Sequence, residues 1–89
     1  MNYVMIDGGF LRSKDHLHDI LARELHFPEW YGRNLDALHD CLTDLHEDTQ
    51  ISVIRIDSAD AELQQYLSRV LRVLHDSAEE NDHLYLNVI

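Results

Sequence analysis

The chain has little cysteine, proline or glycine: one Cys, one Pro and three Gly in 89 residues. With Cys41 alone, no intrachain disulfide can close and no cysteine-based zinc site can be built. Pro28, Gly8, Gly9 and Gly32 all lie within the first 32 residues. No linker, repeat or low-complexity tract follows. Long apolar runs are absent too. The longest, Tyr3–Ile6, is four residues, against the roughly 20 of a membrane helix. The N-terminal segment has neither a basic stretch nor a long apolar one, so it does not read as a signal peptide. The cytoplasm is the expected location, and a membrane is not an expected partner. Basic residues are scarce as well. Seven Lys and Arg face seventeen Asp and Glu, a net charge of −10. Such a polyanion is repelled by RNA, DNA and anionic lipid. Its natural partner is a cationic macromolecule.

What is present is otherwise ordinary. Hydrophobic residues make up 45% and charged residues 27%, a globular composition that excludes a disordered chain. The length suits a single domain over residues 1–89 with one modest core. Asn2–Asp7 is β-rich and apolar, and Gly8-Gly9 stops it, which predicts a strand. Ser13 is placed to cap a helix running through Leu25, because Leu17, Ile20, Leu21 and Leu25 recur at helical spacing. Phe27-Pro28 ends that helix, since a residue before proline leaves the α region. A loop over residues 29–33 follows, with Gly32 free to take a positive φ. Asn34 is the expected N-cap of a second helix, whose Leu35, Leu38, Leu42 and Leu45 form one apolar stripe. Ile51–Ile56 reads as a second strand. Residues from Ser58 to about Ala78 read as one long helix or two short ones. His83–Ile89 alternates as a third strand. Strands separated by helices predict an α/β domain: a three-stranded parallel sheet packed with three to four α-helices.

The second helix carries the chemistry. Asp36, Asp40 and Asp44 recur at i, i+4 and i+8, so they stack on one face, about 6 Å of rise apart, away from the leucines. Like charges so placed oppose the helix by roughly 0.2–0.5 kcal/mol per pair. The helix dipole excuses Asp36 near the N-terminus but not Asp40 or Asp44. A solvated acidic face and a partner site are both open on spacing alone. Trp30 and Tyr31 fall on the loop just before it. Two consecutive aromatics are hard to bury together, and an exposed one beside carboxylates has the composition of an interface anchor. The 29–48 window holds six acids and one base, Arg33.

The run Phe27-Pro28-Glu29-Trp30-Tyr31-Gly32-Arg33-Asn34-Leu35-Asp36-Ala37-Leu38-His39-Asp40-Cys41-Leu42-Thr43 resembles the signature of the barstar family, intracellular inhibitors of the ribonuclease barnase. Weaker similarity covers both ends of the chain, while residues 45–69 match poorly. The resemblance implies a barstar-like fold and a 1:1 complex with a small basic ribonuclease, extracellular or a toxin, formed by a protein that is monomeric when free. It implies no cofactor, no bound metal and no enzymatic activity. Position by position, it implies that Asp36 and Asp40 enter the cationic cleft. Trp30 is then an aromatic contact, Tyr31, Asn34, Ala37 and Thr43 are its neighbours, and Asp76 adds an acidic contact from the last helix. His39 stands where the family commonly has an aromatic, Asp44 replaces a small rim residue, and Leu45 replaces a tryptophan. These departures concern which nuclease, or which other basic toxin nuclease, is bound.

An enzyme is the competing class. Cys41 as a nucleophile would need a base among seven histidines, yet it flanks the leucine stripe and reads as a buried structural thiol. Asp36, His39 and His46 could be offered to a metal, but no His-x-x-x-His pair supports them. His16 and His18 point to different helix faces, and His26, His75 and His83 read as surface or loop residues. The net charge opposes a nucleic-acid-binding regulator.

Overall fold

A computed structural model describes residues 1–89. Strands β1 (Asn2–Asp7), β2 (Thr49–Ile54) and β3 (Leu84–Val88) are joined by helices α1 (Lys14–Glu24), α2 (Leu35–Thr43) and α3 (Ala61–Glu80). The strands pair in parallel in the order β1-β2-β3. This is the expected α/β arrangement, with three α-helices and one 3-10 turn at Ile56–Ser58.

Sheet order equals chain order, so successive crossovers of the usual right hand lay every helix on one face. Burial agrees. Val4, Ile6, Ile51, Val53 and Leu84 point into a cluster with the helix leucines, whereas Tyr3, Met5 and Tyr85 on the opposite face are exposed. The short principal dimension, 19 Å, fits one sheet under one layer of helices.

The local signals explain most boundaries. Ser13 caps α1, its hydroxyl accepting from the His16 N–H at 3.1 Å. α1 closes earlier than the proline requires. His26 takes a left-handed φ of 56° and the Phe27 N–H donates to the Ala22 carbonyl at 3.0 Å, a Schellman closure. Asn34 caps α2, its Oδ1 accepting from the Ala37 N–H at 2.8 Å. Leu38 and Leu42 beneath are fully buried; Leu35 is half-buried, and so is Leu45, which lies past the helix end.

Three expectations shift. β2 begins and ends two residues earlier than Ile51–Ile56, because the Thr49 N–H joins the His83 carbonyl and Arg55 turns left-handed (φ 51°). The Arg55 guanidinium grips the Asp7 carboxylate and holds that turn. Gly8 is required beneath it, since a Cβ there would lie 2.1 Å from the Arg55 carbonyl oxygen. Ser58 does not start the third helix. It belongs to the 3-10 turn, and Asp60 is the cap, accepting from the Leu63 N–H at 2.9 Å. From there α3 runs as one unbroken 20-residue helix. β3 is trimmed by one residue at each end.

Candidate protein-binding site

The loop between α1 and α2 turns its two aromatics in opposite directions. The Tyr31 N–H donates to the Pro28 carbonyl at 2.9 Å, and the Tyr31 side chain enters the core, 7% exposed. There its ring packs on Phe27 with centroids 4.9 Å apart, and its hydroxyl meets His18 Nδ1 at 2.6 Å. His18 is itself buried on α1, and its Nε2 meets the Tyr66 hydroxyl of α3 at 2.6 Å. A neutral imidazole, one donor and one acceptor, satisfies both phenols. Burial, then the nearby Arg33 charge, holds the His18 pKa below its ordinary value against the opposing pull of Asp15 and Asp19. Burial likewise raises the Tyr31 phenol well above its usual range. Tyr31 therefore supports the loop, reaching the outside only where it lines the adjoining groove. Trp30 is 81% exposed.

The left-handed residue of this loop is Arg33 (φ 56°), not Gly32. Gly32 is small for another reason: a Cβ there would lie 3.2 Å from the Ala37 Cβ. Arg33 turns back to α1, bonding the Asp15 carbonyl at 2.9 Å and the Asp19 carboxylate at 2.6 Å. The only base of the acidic window is thereby drawn away from α2.

What remains on α2 is uncompensated. Asp36, Asp40 and Asp44 are all exposed. None pairs with a lysine or arginine, and Asp40 only approaches the adjacent His39 ring at 4.0 Å. Asp36 lies in the first turn and Asp44 is the C-cap, so the ladder spans the whole helix. Beside it a groove of about 530 Å³ is lined by Phe27, Trp30, Ala37, Cys41 and Leu45, with Asp40 and Asp44 among its walls. Asn34 spends its Oδ1 on the helix cap, and its amide reaches the Gly32 carbonyl at 3.3 Å. Ala37 is half-buried. Thr43, also half-buried, bonds back to the His39 carbonyl at 2.9 Å.

Helix α3 borders this face. His39 Nε2 meets the Glu80 carboxylate at 2.5 Å, and Asp76, exposed, lies one turn before Glu80. Asn81, buried after α3, donates to the Leu42 and Leu45 carbonyls at 2.9 and 3.0 Å. It thereby fills the orphan acceptors at the end of α2. Neither Glu80 nor Asn81 carries a sequence signal, because their partners lie 41 and 39 residues away.

The two arrangements weighed for chemistry are not formed. Cys41 is half-buried rather than buried, and burial with the Asp40 and Asp44 charges pushes its thiol pKa up. Such a thiol is a poor nucleophile. His39 faces Glu80, and Asp36, His39 and His46 do not gather their donor atoms at one point. Metal-type donors do gather at His75, Asp76 and Glu79, within 4.8 Å of one another. All three are exposed on one helix surface, and both His75 nitrogens already approach carboxylates. No helix is long and apolar enough to cross a membrane.

Comparison with known proteins agrees with this geometry. A curated relative from Bacillus subtilis (strain 168), named "Putative ribonuclease inhibitor YrdF", is 38% identical over 81 residues, 90% of this chain and 89% of the relative. The family model described as "Barstar (barnase inhibitor)" matches residues 1–88. With its three-stranded parallel sheet and the Trp30–Asp44 segment laid along one side, the chain belongs to the barstar family.

Proposed function

We propose that the protein is an inhibitor that plugs the active site of a small basic ribonuclease, acting by occupation and without chemistry of its own. The observation that carries this reading is the exposed, cation-free carboxylate ladder Asp36, Asp40 and Asp44 beside the projecting Trp30. Ribonucleases hold a polyanion with Lys, Arg and His, so a rigid row of carboxylates competes with RNA phosphates for the same groups. In the complex Asp36 and Asp40 sit in the cationic cleft and Trp30 packs at its lip. Asn34, Ala37, His39 and Thr43 complete the contact on one side, Asp44 and Asp76 charge the rim, and Tyr31 supports the loop from below. The complex is 1:1, with the free inhibitor monomeric. Cytoplasmic placement fits an antitoxin or immunity role, because a secreted nuclease endangers its maker before export.

The −10 charge steers the encounter. Attraction of this kind brings association to the order of 10⁸–10⁹ M⁻¹s⁻¹ at low salt, and barnase with barstar is itself a reference pair for that range. His39, Asp44 and Leu45 stand where the family differs, which favours a nuclease other than barnase as the preferred target. The test is RNA cleavage by purified barnase, and by small basic nucleases of the same cell, with the protein added at rising ionic strength. Inhibition should weaken with salt as screening shortens from about 30 Å at 0.01 M to about 8 Å at 0.15 M. A protein that inhibits none of these nucleases at low salt is not this inhibitor.

A further inference from the structure

One position on the acidic face carries a group able to become positive. His39 lies on α2 between Asp36 and Asp40, with 37% of its side chain exposed. Its Nε2 is 2.5 Å from Glu80 Oε2, and its Nδ1 is 4.0 Å from Asp40 Oδ1. The ionisable groups around it come from two elements. α2 supplies Asp40, with Asp36 one turn before and the Cys41 thiol beyond. α3 supplies Glu80, with Asp76 one turn before and Glu79 alongside. No lysine or arginine pairs with any of these carboxylates. His75 on α3 lies 3.8 Å from Asp76 and 3.7 Å from Glu79, so for Asp40 and Glu80 the His39 imidazole is the cation that the protein itself can offer.

We infer that His39 is an internal counter-ion of the binding face. Protonated, it holds Asp40 and Glu80 as a partner's lysine or arginine would, and deprotonation releases both carboxylates to the partner. The inference rests on the inhibitor reading, adds Glu80 to its site and gives that site a pH dependence. The hydrogen bond does not itself need the charge, because a neutral imidazole can still donate one N–H to Glu80. What changes with pH is the sum of charges a cationic cleft meets. Histidine is the side chain able to change charge between mild acid and neutrality, so the face is weaker in mild acid than above neutrality. Both partners are substantially exposed, Glu80 at 57%, and exposed pairs have modest effects, about two- to five-fold in an equilibrium constant.

The experiment compares the parent protein with His39→Gln, which keeps an amide donor and removes the titratable charge. Association rates with barnase are measured at pH 5.5 and pH 8.0 and expressed as a ratio of variant to parent, so the nuclease's own titration cancels. The variant-to-parent ratio should be about two- to five-fold higher at pH 5.5 than at pH 8.0, whatever the lost ring costs the contact at both. A ratio that is the same at both pH values overturns the inference. A second readout needs no nuclease: a double-mutant cycle of His39→Gln and Glu80→Gln on the unfolding of the free protein. The two should couple more strongly at pH 5.5 than at pH 8.0, where only the neutral hydrogen bond remains, and coupling that is equal at both pH values overturns the ion pair. A parent that binds barnase at neither pH is measured against the small basic nucleases of the same cell; failure with all of them is failure of the inhibitor reading, and the cycle then decides the His39–Glu80 pair alone.

Discussion

The two sides of the loop joining α1 to α2 obey opposite rules. On the α1 side nearly every polar group is answered within the chain: Arg33 by Asp15 and Asp19, the Tyr31 and Tyr66 hydroxyls by His18. On the α2 side three carboxylates on an equally well-formed helix, and the indole of the loop before it, face solvent with no lysine or arginine beside them. A folded chain has no reason of stability to keep like charges stacked at i, i+4. Under the proposed function, the difference means that the α1 side serves stability and the α2 side a partner. Each substitution below should therefore move one property and spare the other.

Tyr31→Ala should have the largest effect. It removes a buried aromatic and leaves His18 with one unmet nitrogen, so unfolding free energy should fall by about 3–5 kcal/mol. Chemical denaturation measures this directly. A drop under about 1 kcal/mol would mean that Tyr31 is not the pillar of the loop.

The converse substitution is Asp40→Ala. In a cationic cleft it leaves desolvated positive groups unpaired, at a cost of about 2–5 kcal/mol in binding, a range that barnase–barstar measurements helped to define. Stability should instead rise by a few tenths of a kcal/mol as repulsion along the ladder is relieved. Asp36→Ala should weaken binding without that gain, because its charge suits the helix N-terminus. Unfolding and inhibition assays on the same three samples separate the cases, and an Asp40→Ala protein that inhibits like its parent sinks the site assignment.

Trp30→Ala should cost about 2 kcal/mol in binding, the threshold of an interface hot spot. At 81% exposure its removal should leave the melting temperature nearly unmoved. A lower melting temperature with unchanged inhibition would return Trp30 to the structural side of the comparison.

How much of this contrast is legible in the sequence follows from distance along the chain. The Ser13 and Asn34 caps act over three residues, and the strands and leucine stripes follow local periodicity, so those elements stand nearly where spacing puts them. That one of Trp30 and Tyr31 turns outward is also legible, since two consecutive aromatics are hard to bury together; which one does so follows only from the family resemblance. Three kinds of feature are hidden. Left-handed turns at His26, Arg33 and Arg55 fall on residues with no glycine-like signature. The start of α3 at Asp60 depends on the preceding 3-10 turn. Contacts between distant segments, His18 to Tyr66, His39 to Glu80 and Asn81 to Leu42, span 48, 41 and 39 residues. No periodicity can report them.

The buried imidazole makes the stable side sensitive to acid. His18 has its pKa lowered by folding, chiefly through burial, so between the folded and unfolded values the unfolded chain binds more protons. Its contribution to stability is then complete above about pH 6.5 and is lost as pH falls from there through the lower folded value. Unfolding free energy should decline from pH 7.5 to pH 5.0, and His18→Gln should flatten part of that slope. Identical slopes in parent and variant would mean that His18 is not the group responsible.

The smallest effect belongs to the one polar group that breaks the rule of the satisfied interior. Ser77, on the core face of α3, is fully buried, and its hydroxyl has no hydrogen-bond partner. An unmet buried hydroxyl carries a desolvation cost of about 1–3 kcal/mol, only partly recovered when its oxygen is removed and the site loses packing volume. Alanine also suits a helix interior better than serine, by a few tenths of a kcal/mol. Ser77→Ala should therefore raise stability by about 0.5–1 kcal/mol, the reverse of the usual effect of cutting a buried side chain. Inhibition should be untouched, because the residue lies beneath the surface that carries Asp76. A loss of stability on this substitution would show that the hydroxyl is bonded in solution, and that the interior contrasts with the α2 face without exception.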